Sequence, residues 1–333
     1  MDRIHRCTTR LIACQKRSVT AGQVLNRRVM SKENSQYRID KQLVRRAFDR
    51  AADTYDAVAA LQNEVGDRLI ERLDYIRLQP RRILDLGAGT GLYTAALLKR
   101  YRKADVIALD IAERMLQRVQ AHGSWFRKPQ CVCADAESLP FADDSFDFIF
   151  SNLMMQWCTD LESTLAELRR VLAPGGLLMF TTFGPDTLME LRASWEAVDG
   201  YTHVNAFIDM HDVGDALVTT QWAEPVMDSE RITVTYRKLP VLMQDLKHIG
   251  AHNVTAGRPR GLTGKRHMQQ LGEAYERFRT DGVLPASYEV LYGHAWSPLN
   301  KHATVAGNEV PLASLQPPGS FSGHQPDDEP DRE

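Results

Sequence analysis

Ile83-Leu84-Asp85-Leu86-Gly87-Ala88-Gly89-Thr90-Gly91 is the stretch that decides how this chain folds. Arg82 to Leu86 reads as a short buried strand, and glycines at 87, 89 and 91 predict a sharp turn whose backbone can approach a ligand closely. Tyr93 to Tyr101 reads as the helix that follows. Asp105 to Leu109 reads as a second strand with Asp110 at its end, about 20 residues beyond the glycines, where an acid takes both hydroxyls of a ribose.

The spacing separates two classes of nucleoside ligand. Dinucleotide sites use G-x-G-x-x-G, in which the last glycine lets the helix pack tightly while its N-terminus holds a pyrophosphate. Leu92 occupies that position here. Asp85 in front of the glycines would repel a pyrophosphate but suits an ammonium group, which points to S-adenosylmethionine, a cofactor with an ammonium and no phosphate.

Further along, Cys131 to Asp135 reads as a third strand, with Asp135 placed for an adenine amino group, and Phe146 to Asn152 as a fourth. Cys131 and Cys133 are expected to share a face and pack as small apolar groups. A helix from Leu161 to Leu172, a stop and turn at Pro174-Gly175-Gly176 and a fifth strand from Leu177 to Phe183 complete an alternating pattern. Such alternation predicts an α/β, doubly wound, mostly parallel sheet with helices on both faces. These residues together resemble the class I S-adenosylmethionine-dependent methyltransferases, which implies a Rossmann-like seven-stranded sheet with helical lid insertions. The resemblance also implies cofactor contacts from Asp85, Gly87, Ala88, Gly89, Asp110, Met115, Asp135, Ala136 and Asn152.

The rest of the chain bounds the function. At 333 residues and a formal net charge of -2, it has no overall pull toward nucleic acid or anionic lipid, so a charged partner must be met by a local patch. No run approaches the roughly 20 apolar residues of a membrane span. The histidines are scattered and the five cysteines lack paired spacing, so no metal site is expected. Residues 1–38 form a basic extension expected to be disordered, read either as the result of a misplaced start, with Met30 as the true one, or as an organellar presequence. The expected compartment is the cytoplasm, with the mitochondrion as the alternative. Residues 39–296 form the catalytic domain: a cofactor core at 80–183, N-terminal helices at 39–75 and insertions at 184–286. Residues 297–333, rich in Pro, Gly, Ser and acids, are expected to form a disordered tail.

The insertions carry the acceptor. Ala47-Phe48-Asp49-Arg50-Ala51-Ala52-Asp53-Thr54-Tyr55-Asp56, Ser151-Asn152 before Gln156-Trp157, Phe183-Gly184-Pro185-Asp186-Thr187-Leu188-Met189-Glu190-Leu191-Arg192, and Asp245 to Asn253 resemble the malonyl-[acyl-carrier protein] O-methyltransferases of biotin synthesis. A mitochondrial family that assists complex I assembly shares the Phe-Gly-x-Asp-Thr-Leu segment and the basic N-terminus, and a small-molecule carboxyl methyltransferase is a third reading. The first resemblance implies methyl transfer to the free carboxylate of a malonyl group on the phosphopantetheine of acyl-carrier protein. A carboxylic acid with a pKa near about 4 is already ionised at neutral pH, so such chemistry needs positioning and no general base. Arg192 is expected to aim the carboxylate, Tyr55 to close over the cofactor, Gln156 and Trp157 to line the sheet's mouth and His203 to donate to the substrate. Arg237, Lys238, Lys247, Arg258, Arg260, Lys265 and Arg266 are expected to dock the acidic carrier.

Overall fold

The computed structural model describes residues 5–6, 10–11, 39–121, 128–251, 253–255, 261 and 264–301. The fold below is that of the Met1–Leu299 unit. Strands β1 (Arg82–Leu86), β2 (Asp105–Asp110), β3 (Gln130–Cys133), β4 (Phe146–Ser151), β5 (Leu172–Phe183), β6 (Ala223–Tyr236) and β7 (Leu284–Trp296) build one sheet in the order β6-β7-β5-β4-β1-β2-β3. β1 to β5 pair in parallel, whereas β7 runs antiparallel between β5 and β6. His5–Arg6 and Arg10–Leu11, from the extension expected to lack structure, pair with the outer edge of β6. The rest of that extension lies outside the described residues, as does the expected tail from His302 onward.

Helices cover both faces, which is why the central strands are apolar on both sides in near-continuous runs. Ile83, Phe148 and Phe150 pack under α3 (Ala60–Glu71) and α4 (Leu92–Arg100), with α7 (Met189–Glu196), α9 (Leu239–His248) and α10 (Lys265–Glu276) extending that layer. Leu84, Leu86 and Ile149 pack on the opposite face under α6 (Leu161–Val171) and α8 (Met210–Thr219). α1 (Lys41–Ala51) and α2 (Tyr55–Val58) precede the sheet, and α5 (Glu113–Val119) follows β2.

Several expectations change. Pro174-Gly175-Gly176 is a bulge within β5, where the register against β4 shifts and Gly175 takes φ +74°, and the strand begins at Leu172. Ser297, assigned to the tail, is buried because its backbone exchanges hydrogen bonds of 2.9 and 2.8 Å with Gly175 and Gly176. Cys133 is exposed rather than packed, since β3 is the sheet's edge and leaves one flank uncovered. After β5 the chain departs for some hundred residues and returns beside its starting point: Gly184 N–H donates to the Glu289 carbonyl at 2.9 Å and Leu188 N–H to that of Ser287 at 2.6 Å.

Gly66 on α3 gives the close approach that seats α4. An added Cβ would stand 2.1 Å from a Tyr93 ring carbon, and that ring is pinned by its hydroxyl, 2.5 Å from the Asn63 carbonyl and 3.0 Å from Asp67. Gly66→Ala is therefore expected to lower stability by about 1–3 kcal/mol through overpacking, overriding alanine's better helix propensity. A lower urea midpoint at unchanged slope is the readout.

Candidate functional site

Strand order reverses between β1 and β4, so their carboxyl ends diverge and open a crevice. Ser151 at the end of β4 donates to the Leu86 carbonyl at 3.0 Å and ties the two ends together. Gly87, Gly89 and Gly91 all take positive φ (74°, 54° and 95°), which explains the glycine spacing. At Gly87 a Cβ would also lie 2.5 Å from Met154 Cγ, so the loop can only sit this close to the chain after β4 without a side chain.

Asp110 is nearly buried, accepting from Gly89 N–H at 2.9 Å and Ala112 N–H at 2.8 Å. Burial pushes its carboxyl up to about 6 against the pull of those donors. Asp85 is deeper: it accepts the Thr94 hydroxyl at 2.5 Å, and burial raises it to about 7. It does not line the crevice, because β1 turns its side chain toward α4. Met115 packs with Ala51, Ala52 and Ala112, and Ala88 with Leu116, so neither lines it either.

Six of the expected cofactor residues do come together. Gly87, Gly89, Asp110, Asp135, Ala136 and Asn152 line a cavity of about 70 Å³, roofed by Lys41, Val44, Phe48 and Tyr55 from α1 and the start of α2. Burial and the nearby Asp110 and Asp56 carboxylates hold the Tyr55 phenol well above its ordinary 10.0, so Tyr55 keeps its proton. The lining suits an adenosyl sulfonium: its carboxylates can accept from ribose hydroxyls and an amino group, whereas a pyrophosphate would face Asp110 and Asp135.

A second cavity, of about 910 Å³, adjoins the first, and Trp157 belongs to the wall of both. Its walls are mainly apolar and aromatic, among them Leu61, Phe183, Leu191, Trp195, Phe207 and Tyr288, with Asp245, Lys247 and Asn253 among the polar groups. Gln156 lines it, with its amide N–H₂ donating to the Leu153 carbonyl at 2.6 Å and its carbonyl within 3.3 Å of the Thr182 hydroxyl. His203 lines it too, stacked on Trp195 at 3.7 Å between ring centroids and fixed by Asp199 at 2.8 Å from Nε2.

Arg192 does not line either cavity. Its guanidinium folds back over the loop before α7 and donates to the Pro185 carbonyl at 2.8 Å and the Thr187 carbonyl at 3.2 Å, so it braces that loop. Of the expected docking cations, Lys247 is at the larger cavity, and Arg237, Lys238, Lys265 and Arg266 are exposed. Arg258 and Arg260 lie outside the described residues. Sequence reasoning missed Lys41, Asp199 and Gln62, whose buried Oε1 has no hydrogen-bond partner among the described residues. Asp199 and His203 lie in the irregular segment after α7, so no helical periodicity reports their pairing.

Residues 84–180 match a family model described as a methyltransferase domain. The chain is 52% identical over 260 residues to the malonyl-[acyl-carrier protein] O-methyltransferase of Halorhodospira halophila, a match covering 78% of this chain and 88% of that protein. With the protein of the same name from Gallionella capsiferriformans it is 54% identical over 270 residues, covering 79% of this chain and 93% of the relative. The chain belongs to the malonyl-[acyl-carrier protein] O-methyltransferase family. Matches that span the insertions as well as the cofactor half decide between the resemblances. The structure of the [4+2]-cyclase SpnF, at TM-score 0.50 and 17% identity, covering 78% of this chain and 97% of that one, bears on the fold alone. Within this family the chain is an S-adenosylmethionine-dependent methyltransferase. Among the described residues no helix is long and apolar enough to cross a membrane.

Proposed function

We propose that this malonyl-[acyl-carrier protein] O-methyltransferase esterifies the free carboxylate of a malonyl thioester on the phosphopantetheine of acyl-carrier protein, the entry to pimeloyl synthesis for biotin. The observation that carries this reading is the pair of cavities that share Trp157, one lined by carboxylates and the other large and apolar. S-adenosylmethionine, when bound, supplies a methyl group made electrophilic by its sulfonium.

Everything else falls to this chain's residues. Asp110 accepts the ribose hydroxyls, Asp135 the adenine amino group, and Gly87 and Gly89 let the backbone pass close. The buried Asp85, when ionised, would add negative potential beneath the glycine loop, which suits a ligand that carries an ammonium. Tyr55 closes the roof. In the larger cavity the attacking group is already ionised, so the residues there aim it and exclude water. His203, whose Nε2 is held by Asp199, and Gln156 are the polar groups we assign to the malonyl group, and Trp157 walls the boundary between the two cavities.

Lys247, together with Arg237, Lys238, Lys265 and Arg266, offers the acidic carrier a basic approach to the cavity, an interaction that speeds encounter and fixes orientation. The cytoplasm is the compartment that fits this substrate. Purified protein incubated with labelled methyl donor and malonyl-carrier protein should yield a base-labile methyl ester on the carrier. A label on a protein side chain, or none, would overturn the reading. Lys247→Glu should raise the KM for carrier protein about tenfold while leaving the affinity for S-adenosylhomocysteine unchanged.

A further inference from the structure

We infer that Lys41 is a positioning residue: it latches α1 over the cofactor and thereby couples cofactor occupancy to the shape of the acyl cavity. The inference rests on the reading of the smaller cavity as the S-adenosylmethionine site. Lys41 opens α1, and its ammonium lies 2.9 Å from Asp135 and 3.1 Å from Glu137, with only 23% of the side chain exposed. Both carboxylates belong to the loop after β3, on the side of the cavity assigned to adenine. The lysine thus bridges roof to wall across the cofactor chamber.

That chamber is narrow. Cavities that hold ligands of this size run to about 300–1,000 Å³, and the roofed space measures about 70 Å³. Holding the cofactor therefore requires the space to widen, and α1, its roof, cannot shift alone. Its N-terminus is tied to the chain at 253–255: Asp40 N–H donates to the Val254 carbonyl at 3.2 Å, and Ile39 bridges Thr255. Asn253 in that stretch lines the acyl cavity.

Two more contacts link the roof to the acyl side. Phe48 makes a T-shaped contact, 5.2 Å between centroids, with Trp157, the residue common to both cavities. Beyond the C-terminus of α1, the Thr54 hydroxyl donates to the His248 carbonyl at 2.9 Å. α1 also packs closely on Gly250, where φ is +78° and an added Cβ would meet Ala51 and Phe48 at 3.2 Å. His248 and Gly250 end α9, which carries Asp245 and Lys247 into the acyl cavity. A roof latched by Lys41 thus fixes the acyl wall at its two ends and at Trp157, and an unlatched roof frees all three points.

The consequence is positive coupling between the two ligands, equal in both directions by linkage. Calorimetric titration of S-adenosylhomocysteine, which permits no turnover, should give a Kd about tenfold lower when malonyl-carrier protein is saturating, within the 5- to 150-fold range of such couplings. In Lys41→Met the ratio should fall toward one and the KM of both substrates should rise more than kcat falls, whereas Lys41→Arg, which keeps the charge, should restore the ratio. Glu137→Gln, which keeps an acceptor for Thr159 N–H and drops one charge, should give an intermediate ratio and serves if the methionine variant does not fold. A wild-type protein that binds S-adenosylhomocysteine without coupling, or variants that keep the full ratio, would overturn the latch. A wild-type protein that does not bind S-adenosylhomocysteine at all would instead overturn the assignment of the smaller cavity.

Discussion

Asp110→Ala loses affinity for S-adenosylhomocysteine by about a hundredfold or more. One oxygen of this carboxylate already accepts from Gly89 N–H and the other from Ala112 N–H, so it enters the complex rigid and aimed. Each hydrogen bond from a ribose hydroxyl to a charged acceptor contributes roughly 1.5–3 kcal/mol, and two are lost together. The alanine variant also releases Gly89, so the loop that carries the glycines slackens. Asp110→Asn keeps one uncharged acceptor and replaces the other with an N–H₂ group, and should fall between. A second signature is pH. Because burial places Asp110 at about 6, protonation removes the charged acceptor as pH falls through that value, and wild-type affinity should weaken between pH 7.5 and 5 while the asparagine variant stays flat. Isothermal titration across that range is the measurement, and an alanine variant with wild-type Kd would refute the ribose assignment.

Asp85→Asn should stabilise the free enzyme and weaken it as a binder. A carboxyl whose folded value is raised contributes stability that is fully present below its ordinary 3.8 and is lost as pH rises through about 7. Above pH 8 this amounts to a penalty on the order of 4 kcal/mol. The neutral amide removes that penalty but brings an N–H₂ group with no assured acceptor, which costs about 1–3 kcal/mol. A net gain of roughly 1–3 kcal/mol at pH 8 is expected, shrinking as pH falls and turning into a net loss of about 1–2 kcal/mol near pH 4. Urea unfolding at pH 8 and pH 5 tests this, and equal midpoint differences at the two values would show that the charge is not the cause. The same variant should bind S-adenosylhomocysteine several-fold more weakly, a trade of function against stability common at buried acids.

What the sequence revealed was what lies close together along the chain. The glycines at 87, 89 and 91, the acid ending β2 and the apolar runs of β1, β2 and β4 are local patterns, and these three strands formed within a residue or two of their expected bounds, whereas β5 begins five residues early. α8 was not seen, since Gly214 sits at its centre and its buried face is only Val213, Ala216 and Leu217. Side-chain direction was the other blind spot. Arg192 follows β5 at a spacing that suits a ligand contact, but it turns back to carbonyls five and seven residues before it. Lys41 meets Asp135 across 94 residues of chain, and no periodicity reports a contact that depends on how two separate elements dock.

The return of the chain beside its point of departure has a consequence for how such enzymes change. Because β7 runs back along β5, with Gly184 and Glu289 joined by a backbone hydrogen bond, everything that shapes the far wall of the acceptor chamber hangs from two adjacent anchor points. A segment with neighbouring ends can be lengthened, shortened or exchanged as a cassette without moving the strands that grip the nucleoside. Lineages, and engineers grafting one such cassette for another, can therefore retool which acid is esterified while the donor half stays as it is.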